Sequence, residues 1–173
     1  PGEAGLVSLA AAVALIEAAG LPELGAKWPN DLVVGQRKCG GILAEAEVQG
    51  DTMRHVVLGA GVNVSASREE LPAQVRETAT SLRAEGASID LDSLLSGFLS
   101  LFRSQIESAG FPSGVVDAYR PRCHTLGRRV RATTTSGESV EGRAVDVDER
   151  GNLLVEQGGR IERVSFGEAE HVA

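Results

Sequence analysis

The sequence predicts an α+β core followed by a small all-β unit, and three observations carry that prediction. Residues 6–19 are apolar and rich in Ala and Leu, with Gly20 behind them as a stop, which is the composition of a core helix. Short β-type segments follow, and a helical period returns at Leu94, Leu95, Phe98, Leu99, Phe102 and Ile106. After Pro121 the chain changes character, to closely spaced strand candidates cut by glycine turns. A length of 173 residues can bury one good core plus a small satellite.

Taken in order, helix 6–19 is interrupted by Glu17, Gly20 and Pro22 well short of a membrane span. No basic leader precedes it, so a signal peptide is not expected. The chain opens at Pro1 and enters this helix almost at once, which raises the expectation of an upstream segment. A strand ends around Lys27; residues 31–35 form the next, with Gln36-Arg37 as its turn and 38–47 as the returning strand. Gln49-Gly50-Asp51 reads as a turn, and 54–64 as a further strand. The polar stretch 65–88 reads as a long loop with room for one helical turn.

The second helix takes Asp92 as its N-cap and ends at Gly110 and Pro112. Residues 113–120 read as a short third helix with Val115, Val116 and Tyr119 on one side. Strand candidates at 128–134, 139–148, 153–157 and 160–165 are separated by Ser136-Gly137, Arg150-Gly151-Asn152 and Gly158-Gly159. About four or five strands in roughly fifty residues imply a small barrel or sandwich. A boundary near 123–127 follows.

Composition narrows the function classes. A net charge of −7 leaves no global basic field to draw the chain to nucleic acid or an anionic membrane. Cys39 and Cys123 are too few and too far apart for a disulfide scaffold or a zinc site, and both fit a reducing cytoplasm, the expected location. His55, His124 and His171 lack metal-ligand spacing, so no metal site is expected. His124 beside Cys123 falls at the expected junction and reads as structural. There is no P-loop, nucleophile elbow or Cys-x-x-Cys.

The informative run is Lys27-Trp28-Pro29-Asn30-Asp31. Pro29 fixes its own φ and biases Trp28 toward an extended backbone, while Asn30-Asp31 suits a turn. Such a segment leaves a strand, turns tightly and aims Lys27 at a fixed point, which is how one charge is held against an anionic ligand. Arg37-Lys38 then precedes Gly40-Gly41-Ile42-Leu43, and Gly59-Ala60-Gly61 precedes Val62-Asn63. In this order and spacing the three features resemble the central catalytic region of biotin protein ligases. The resemblance is strong over 26–64 and extends over nearly the whole chain.

That resemblance implies a class II synthetase-like catalytic core at 1–122, with a mixed sheet and helices, and an SH3-like barrel at 126–173. It implies an ATP- and Mg²⁺-dependent ligase, in which the biotin carboxylate attacks the α-phosphate to give biotinyl-5′-AMP and pyrophosphate. A lysine of a biotin carboxyl carrier domain, of the acetyl-CoA carboxylase kind, then takes the biotinyl group and expels AMP. The first step brings a carboxylate against a polyanion, so fixed positive charge is needed where they meet.

The resemblance places Lys27 there, beside both biotin and the adenylate; the plainer reading is an exposed strand-end lysine. Gly59, Ala60 and Gly61 resemble the strand lining the biotin pocket. Trp28, Asn30, Lys38, Gly41 and Asn63 complete the expected ATP and adenylate contacts. Each has a plainer counterpart. Trp28 can simply anchor the turn in the core, Asn30 and Asp31 can orient Lys27, and Lys38, which could approach the nucleotide or the carrier, can instead be a solvated hairpin charge. Gly40-Gly41 can be a bulge, and Asn63 a turn-former. Asp31 as a general base has no independent support.

Two departures stand out. The Gly/Arg-rich loop that such ligases carry upstream of the first helix is missing, so the isolated chain is expected to be weak or inactive. The end, His171-Val172-Ala173, lacks the arginine many relatives place there, leaving Arg143 or Arg160 as substitutes for a phosphate contact. A ligase lacking its N-terminal segment and a truncated relative that binds biotin, nucleotide or carrier without ligation both fit. A lipoate-type ligase fits less well, since those lack the Lys-Trp-Pro-Asn-Asp run. A homodimer through sheet edges and a monomer fit equally.

Overall fold

The computed structural model describes residues 2–49, 52–108, 110–111, 113–134, 137–165 and 167–172. Gly50, Asp51, Pro112 and Ser136, which figure in the expected turns and helix stop, lie outside the described residues.

Helix α1 (Gly2–Ala19) starts earlier than the apolar run alone predicts. From Leu9 to Ile16 every residue is buried, because the helix lies between a sheet on one side and two further helices on the other. A helix apolar on all sides has to be covered on all sides. Gly20 closes it at φ +62°.

Strands β1 (Leu24–Lys27), β2 (Asp31–Val34), β3 (Arg37–Gln49) and β4 (Thr52–Val62) form a sheet in that order. All its ladders are antiparallel, whereas a mixed sheet was expected; parallel pairing is limited to isolated bridges, Ala26 with Cys123 and Lys38 with Ala79. The β2–β3 turn is Gly35-Gln36, one residue earlier than expected. Gly35 takes φ +61°, which a side chain resists, and Arg37 already pairs with Val34.

Helix α2 (Leu91–Ile106) is capped by Asp90 and not by Asp92. Asp90 Oδ1 accepts the Ser93 N–H at 2.8 Å, so Asp92 falls in the first turn, where its charge still suits the helix dipole. The helix buries Leu94 and Phe98 and leaves Leu91, Leu95 and Leu99 exposed. Helix α3 (Ser113–Tyr119) packs Val115, Val116 and Tyr119 into the core as expected and runs into a 3₁₀ turn, Arg120–Arg122.

Strands β5 (Arg129–Thr134), β6 (Ser139–Val147), β7 (Leu153–Gln157), β8 (Arg160–Val164) and β9 (Gly167–His171) make a second antiparallel sheet, ordered β8-β7-β6-β5-β9. Val130, Ala132, Ala144, Val147, Val155, Val164 and Ala169 form its buried side. A small barrel or sandwich was expected, SH3-like by the resemblance. The described ladders are open, with β8 and β9 at opposite edges, because β9 crosses over to pair with β5. No helix among the described residues is long and apolar enough to cross a membrane.

Two glycines separate packing from ligand access. A Cβ on Gly40 would sit 2.6 Å from the Gly61 carbonyl oxygen and 3.2 Å from Val62 Cα, both backbone, whereas a Cβ on Gly61 meets nothing within 4 Å. Gly40→Ala is therefore expected to destabilise by about 1–3 kcal/mol, lowering the melting temperature by about 2–4 °C per kcal/mol, with Gly61→Ala near wild type. Equal melting temperatures for the two variants would contradict this register.

Candidate active site

Directly opposed residues in an antiparallel ladder project to the same face. The register aligns Lys27 with Asp31, Asp31 with Gly41, and Gly41 with Gly61, so one row crosses all four strands on one face. Two of the four positions have no side chain, which leaves a trough beside the two charged groups. A bulge after Leu32 brings Lys38 onto the same face, where its Nζ lies 2.6 Å from Asp31 Oδ1. A Cβ on Gly41 would come within 3.5 Å of Lys38 Nζ and 3.6 Å of Asp31 Oδ1, and one on Gly59 would meet only the Leu43 carbonyl oxygen at 3.9 Å.

A pocket of about 450 Å³ covers this trough and gathers Asn30, Asp31, Lys38, Gly41 and the run from Gly59 to Gly61. Ala60 pairs with Ile42 and turns its Cβ to the opposite face, so it offers the pocket its backbone. Asn30 is tied down reciprocally: its Nδ2 donates to the Ile42 carbonyl at 2.8 Å and its own carbonyl accepts the Ile42 N–H at 2.9 Å.

Trp28 takes the anchoring role. It is 2 % exposed, its N–H donates to Thr125 Oγ1 at 3.0 Å, and its indole Nε1 donates to the Gly151 carbonyl at 2.9 Å. The Trp28-Pro29 peptide bond is cis. Asn63 lies just beyond β4, outside the pocket lining. Its N–H donates to the Cys39 carbonyl at 2.8 Å, its carbonyl accepts from Leu82 at 2.9 Å, and its Nδ2 donates to Thr80 O at 2.9 Å. This stitches 80–82 against the sheet, a task different from turn formation, and leaves Oδ1 as the acceptor toward any ligand.

Lys27 is half-buried, and among the described residues no carboxylate forms an ion pair with it. Its electrostatic neighbours come from the C-terminal part of the chain. The imidazoles of His171 and His124 are both held below the usual histidine range. Burial is the main cause for each, with Lys27, Arg128 and His124 adding to it at His171, and Arg128 at His124. His171 Nε2 lies 3.4 Å from Thr125 Oγ1. His124 packs over Gly25, where a Cβ would be only 2.3 Å from its Nε2, and its N–H donates to Ala26 O at 2.7 Å.

The structural reading of His124 thus holds. Thr125, Arg128, Gly151 and His171 were not among the expected site residues; they lie about a hundred positions or more from Lys27, and no local pattern marks them. Arg143 instead opposes Arg129 and Glu156 within the second sheet, and Arg160 sits at the β7–β8 hairpin.

Behind the pocket, Arg37 Nη2 pairs with Glu85 Oε1 at 2.7 Å, and Glu85 also accepts the Thr80 hydroxyl. Burial, with Glu85 nearby, pushes the Cys39 thiol up to about 11, and burial also raises Cys123, so neither is a ready nucleophile. Among the described residues no three His, Cys, Asp or Glu side chains gather to hold a metal.

The first sheet thus carries a glycine-floored trough lined by Asn30, Asp31 and Lys38, while Lys27 stands at the end of the same row, outside the pocket lining. Residues 6–63 match the Biotin/lipoate A/B protein ligase family, and residues 125–172 match the Biotin protein ligase C terminal domain. The chain belongs to the biotin protein ligase family. It is 36 % identical over 178 residues to the biotin–[acetyl-CoA-carboxylase] ligase of Mycobacterium tuberculosis, covering 97 % of this chain and 63 % of that protein. It is 31 % identical to the bifunctional ligase/repressor BirA of Bacillus subtilis, covering 95 % of this chain and 52 % of that one.

The chain therefore spans about half to two thirds of the length of these curated relatives. In three dimensions it superposes on the biotin protein ligase of Aquifex aeolicus with a TM-score of 0.80 at 21 % identity, over 98 % of this chain and 76 % of that one. The same enzyme solved in complex with biotin and ATP gives 0.74 at 22 % identity, over 96 % and 70 %. At that identity the likeness speaks for the fold.

The two depressed histidines set the sign of a pH effect. The unfolded chain takes up protons that the folded imidazoles refuse, so this contribution is complete above the ordinary histidine pKa near 6.5 and is lost as pH falls below it. Melting temperature is expected to drop between about pH 7.5 and about pH 5.5, and His171→Gln should make that drop shallower. An unchanged acid-side slope in His171→Gln would show that this imidazole is not so buried.

Proposed function

We propose that this chain is the larger part of a biotin–protein ligase, which makes biotinyl-5′-AMP from biotin and ATP and passes the biotinyl group to a lysine of a biotin carboxyl carrier domain. The acetyl-CoA carboxylase carrier is the substrate we favour, since relatives from Mycobacterium tuberculosis and Paracoccus denitrificans are named biotin–[acetyl-CoA-carboxylase] ligases. The observation that carries the reading is the row of Lys27, Asp31, Gly41 and Gly61 across the first sheet.

In the first step a biotin carboxylate oxygen bonds to the α-phosphorus of ATP and pyrophosphate leaves with the electron pair. Two anions must approach, and Lys27, which forms no ion pair among the described residues, offers a charge at the strand end beside the trough. A preorganised cation in a partly water-excluded site stabilises charge crowding at no reorganisation cost. Biotin's ring and chain would lie along Gly59 to Gly61, where an added side chain would occupy the space. Asn30 and Gly41 would border the adenylate beside Trp28, whose buried indole contributes through the turn it anchors. Lys38 and Asn63 Oδ1 would reach toward the nucleotide.

In the second step the carrier lysine amine adds to the acyl carbonyl, its proton passes to solvent or a nearby base, and AMP departs, its phosphate again beside Lys27. Mg²⁺ would enter with the ATP phosphates, since the described residues form no cage for it. This reading divides the chain into a class II synthetase-like core at 1–122 and an SH3-like barrel at 126–173. The curl of the β5–β9 sheet, which brings β5 and β8 into contact, supports the barrel. A reducing cytoplasm suits the two buried free thiols, and a homodimer through sheet edges is compatible with the exposed β4.

Biotin-dependent exchange of labelled pyrophosphate into ATP tests the first step directly, on this chain and on a longer one with the relatives' upstream length. Lys27→Ala should lower exchange by at least about 100-fold with an unchanged melting curve, because the residue is half-buried and forms no ion pair among the described residues. Near-normal exchange in Lys27→Ala would sink the assignment.

A further inference from the structure

Asp148, at the turn between β6 and β7, is bonded far more heavily than a surface turn requires. Its Oδ1 accepts the N–H groups of Arg150 at 2.9 Å and Asn152 at 3.0 Å, and Asn152 Nδ2 at 3.1 Å. Its Oδ2 accepts Asn152 Nδ2 at 3.0 Å and pairs with Arg163 Nε at 2.9 Å. The backbone closes the same turn, with Gly151 N–H on Asp148 O at 2.8 Å and Asp148 N–H on Asn152 O at 2.9 Å. Burial alone would push this carboxyl up; the Asn152 and Arg150 donors, with Arg163, outweigh it and leave the group below its ordinary value.

What this stiffened turn presents is the Gly151 carbonyl, the acceptor of the Trp28 indole N–H. Gly151 stands at φ +81°, and a Cβ there would lie 3.3 Å from Leu9 Cδ1, so the turn is also pressed against α1. The indole is held on a surface that cannot drift, and the residue before it is Lys27.

We propose that Asp148 is a positioning residue for Lys27, acting through the Gly151 carbonyl and the Trp28 indole. The inference rests on the role given to Lys27 above. A carboxylate in the second sheet thereby fixes the direction of a charge on the first. Without it, Asp148 would merely stabilise its own hairpin, and its loss would leave Lys27 untouched.

The chain contains only two lysines, Lys27 and Lys38, so limited reductive methylation read by mass spectrometry reports Lys27 with Lys38 as internal reference. Trp28 is the sole tryptophan, so its emission reports the indole contact. Asp148→Ala should red-shift the emission and change the Lys27-to-Lys38 rate ratio several-fold. Trp28→Phe, which removes the indole N–H, should change that ratio likewise. Asp148→Asn keeps an acceptor for the Arg150 and Asn152 N–H groups but loses the one that serves Asn152 Nδ2 and Arg163, and should fall between wild type and Asp148→Ala.

The double variant Asp148→Ala with Trp28→Phe should go no further than Trp28→Phe alone, because both cut the same link. In pyrophosphate exchange by the complete ligase, kcat should fall about tenfold in Asp148→Ala while KM for biotin stays within about twofold. A wild-type ratio in folded Asp148→Ala, or losses that add in the double variant, overturns the proposal. Should Asp148→Ala not fold, Asp148→Ser carries the same comparison. If wild-type protein performs no exchange, the ligase reading fails, and the methylation ratio still decides the link.

Discussion

The structure turns on one indole. Trp28 is the residue next to Lys27, and it is held from two separate stretches of the C-terminal part, by its backbone N–H at Thr125 and by its ring N–H at Gly151. A single buried N–H without a partner would cost about 1–3 kcal/mol, so these bonds act chiefly as constraints: any other placement of the indole leaves a donor unpaired. The ring is buried in the core and walls a cavity of about 210 Å³ that α1 and the β6–β7 turn also line, so one side chain of the first sheet's turn is held by the second sheet. Lys27 inherits that rigidity. Its own side chain needs no ion pair to fix it, because the backbone on which it stands is already pinned.

The same economy explains the glycines. In the row that crosses the first sheet, charge is concentrated at Lys27 and Asp31 and bulk is removed at Gly41 and Gly61. Their neighbour Gly40 points the other way and serves packing, since the Gly61 carbonyl occupies the place of its Cβ. Adjacent glycines in one strand therefore answer to different demands, one steric and inside, the other steric and outside. The bulge at Leu32 is what lets Lys38 join the outer set, for without it the alternation of the strand would shift the residues before Gly40 by one position.

The local parts of this arrangement were legible in the sequence. The Lys27–Asp31 turn, the returning strand and the glycine strand could be read from spacing, because each is fixed by residues a few positions apart. The misreadings were local choices between similar candidates: Asp90 over Asp92 at the α2 cap, decided by which carboxylate reaches Ser93, and Gly35 over Arg37 in the hairpin, decided by φ. The contacts from Thr125, Gly151 and His171 were not legible, because they join segments a hundred or so positions apart and involve a threonine hydroxyl, a glycine carbonyl and an imidazole that no motif singles out. The path of β9 back to β5 was hidden for the same reason.

The electrostatics of the site follow from this long-range assembly and not from composition. The chain carries a net charge of −7, yet His171 is held down by burial first and then by Lys27, Arg128 and His124, while Asp31 stands opposite Lys27 in the ladder. That grouping is built by topology, which brings β1, the 123–128 segment and β9 to one place. The acidic remainder is spread over the surface, where solvent and salt screen it within about a Debye length of 8–10 Å. At the half-buried strand end the screening is weaker, so Lys27 and its immediate neighbours, Asp31 across the ladder and His171 beyond it, feel one another more than they feel the distant surface charges.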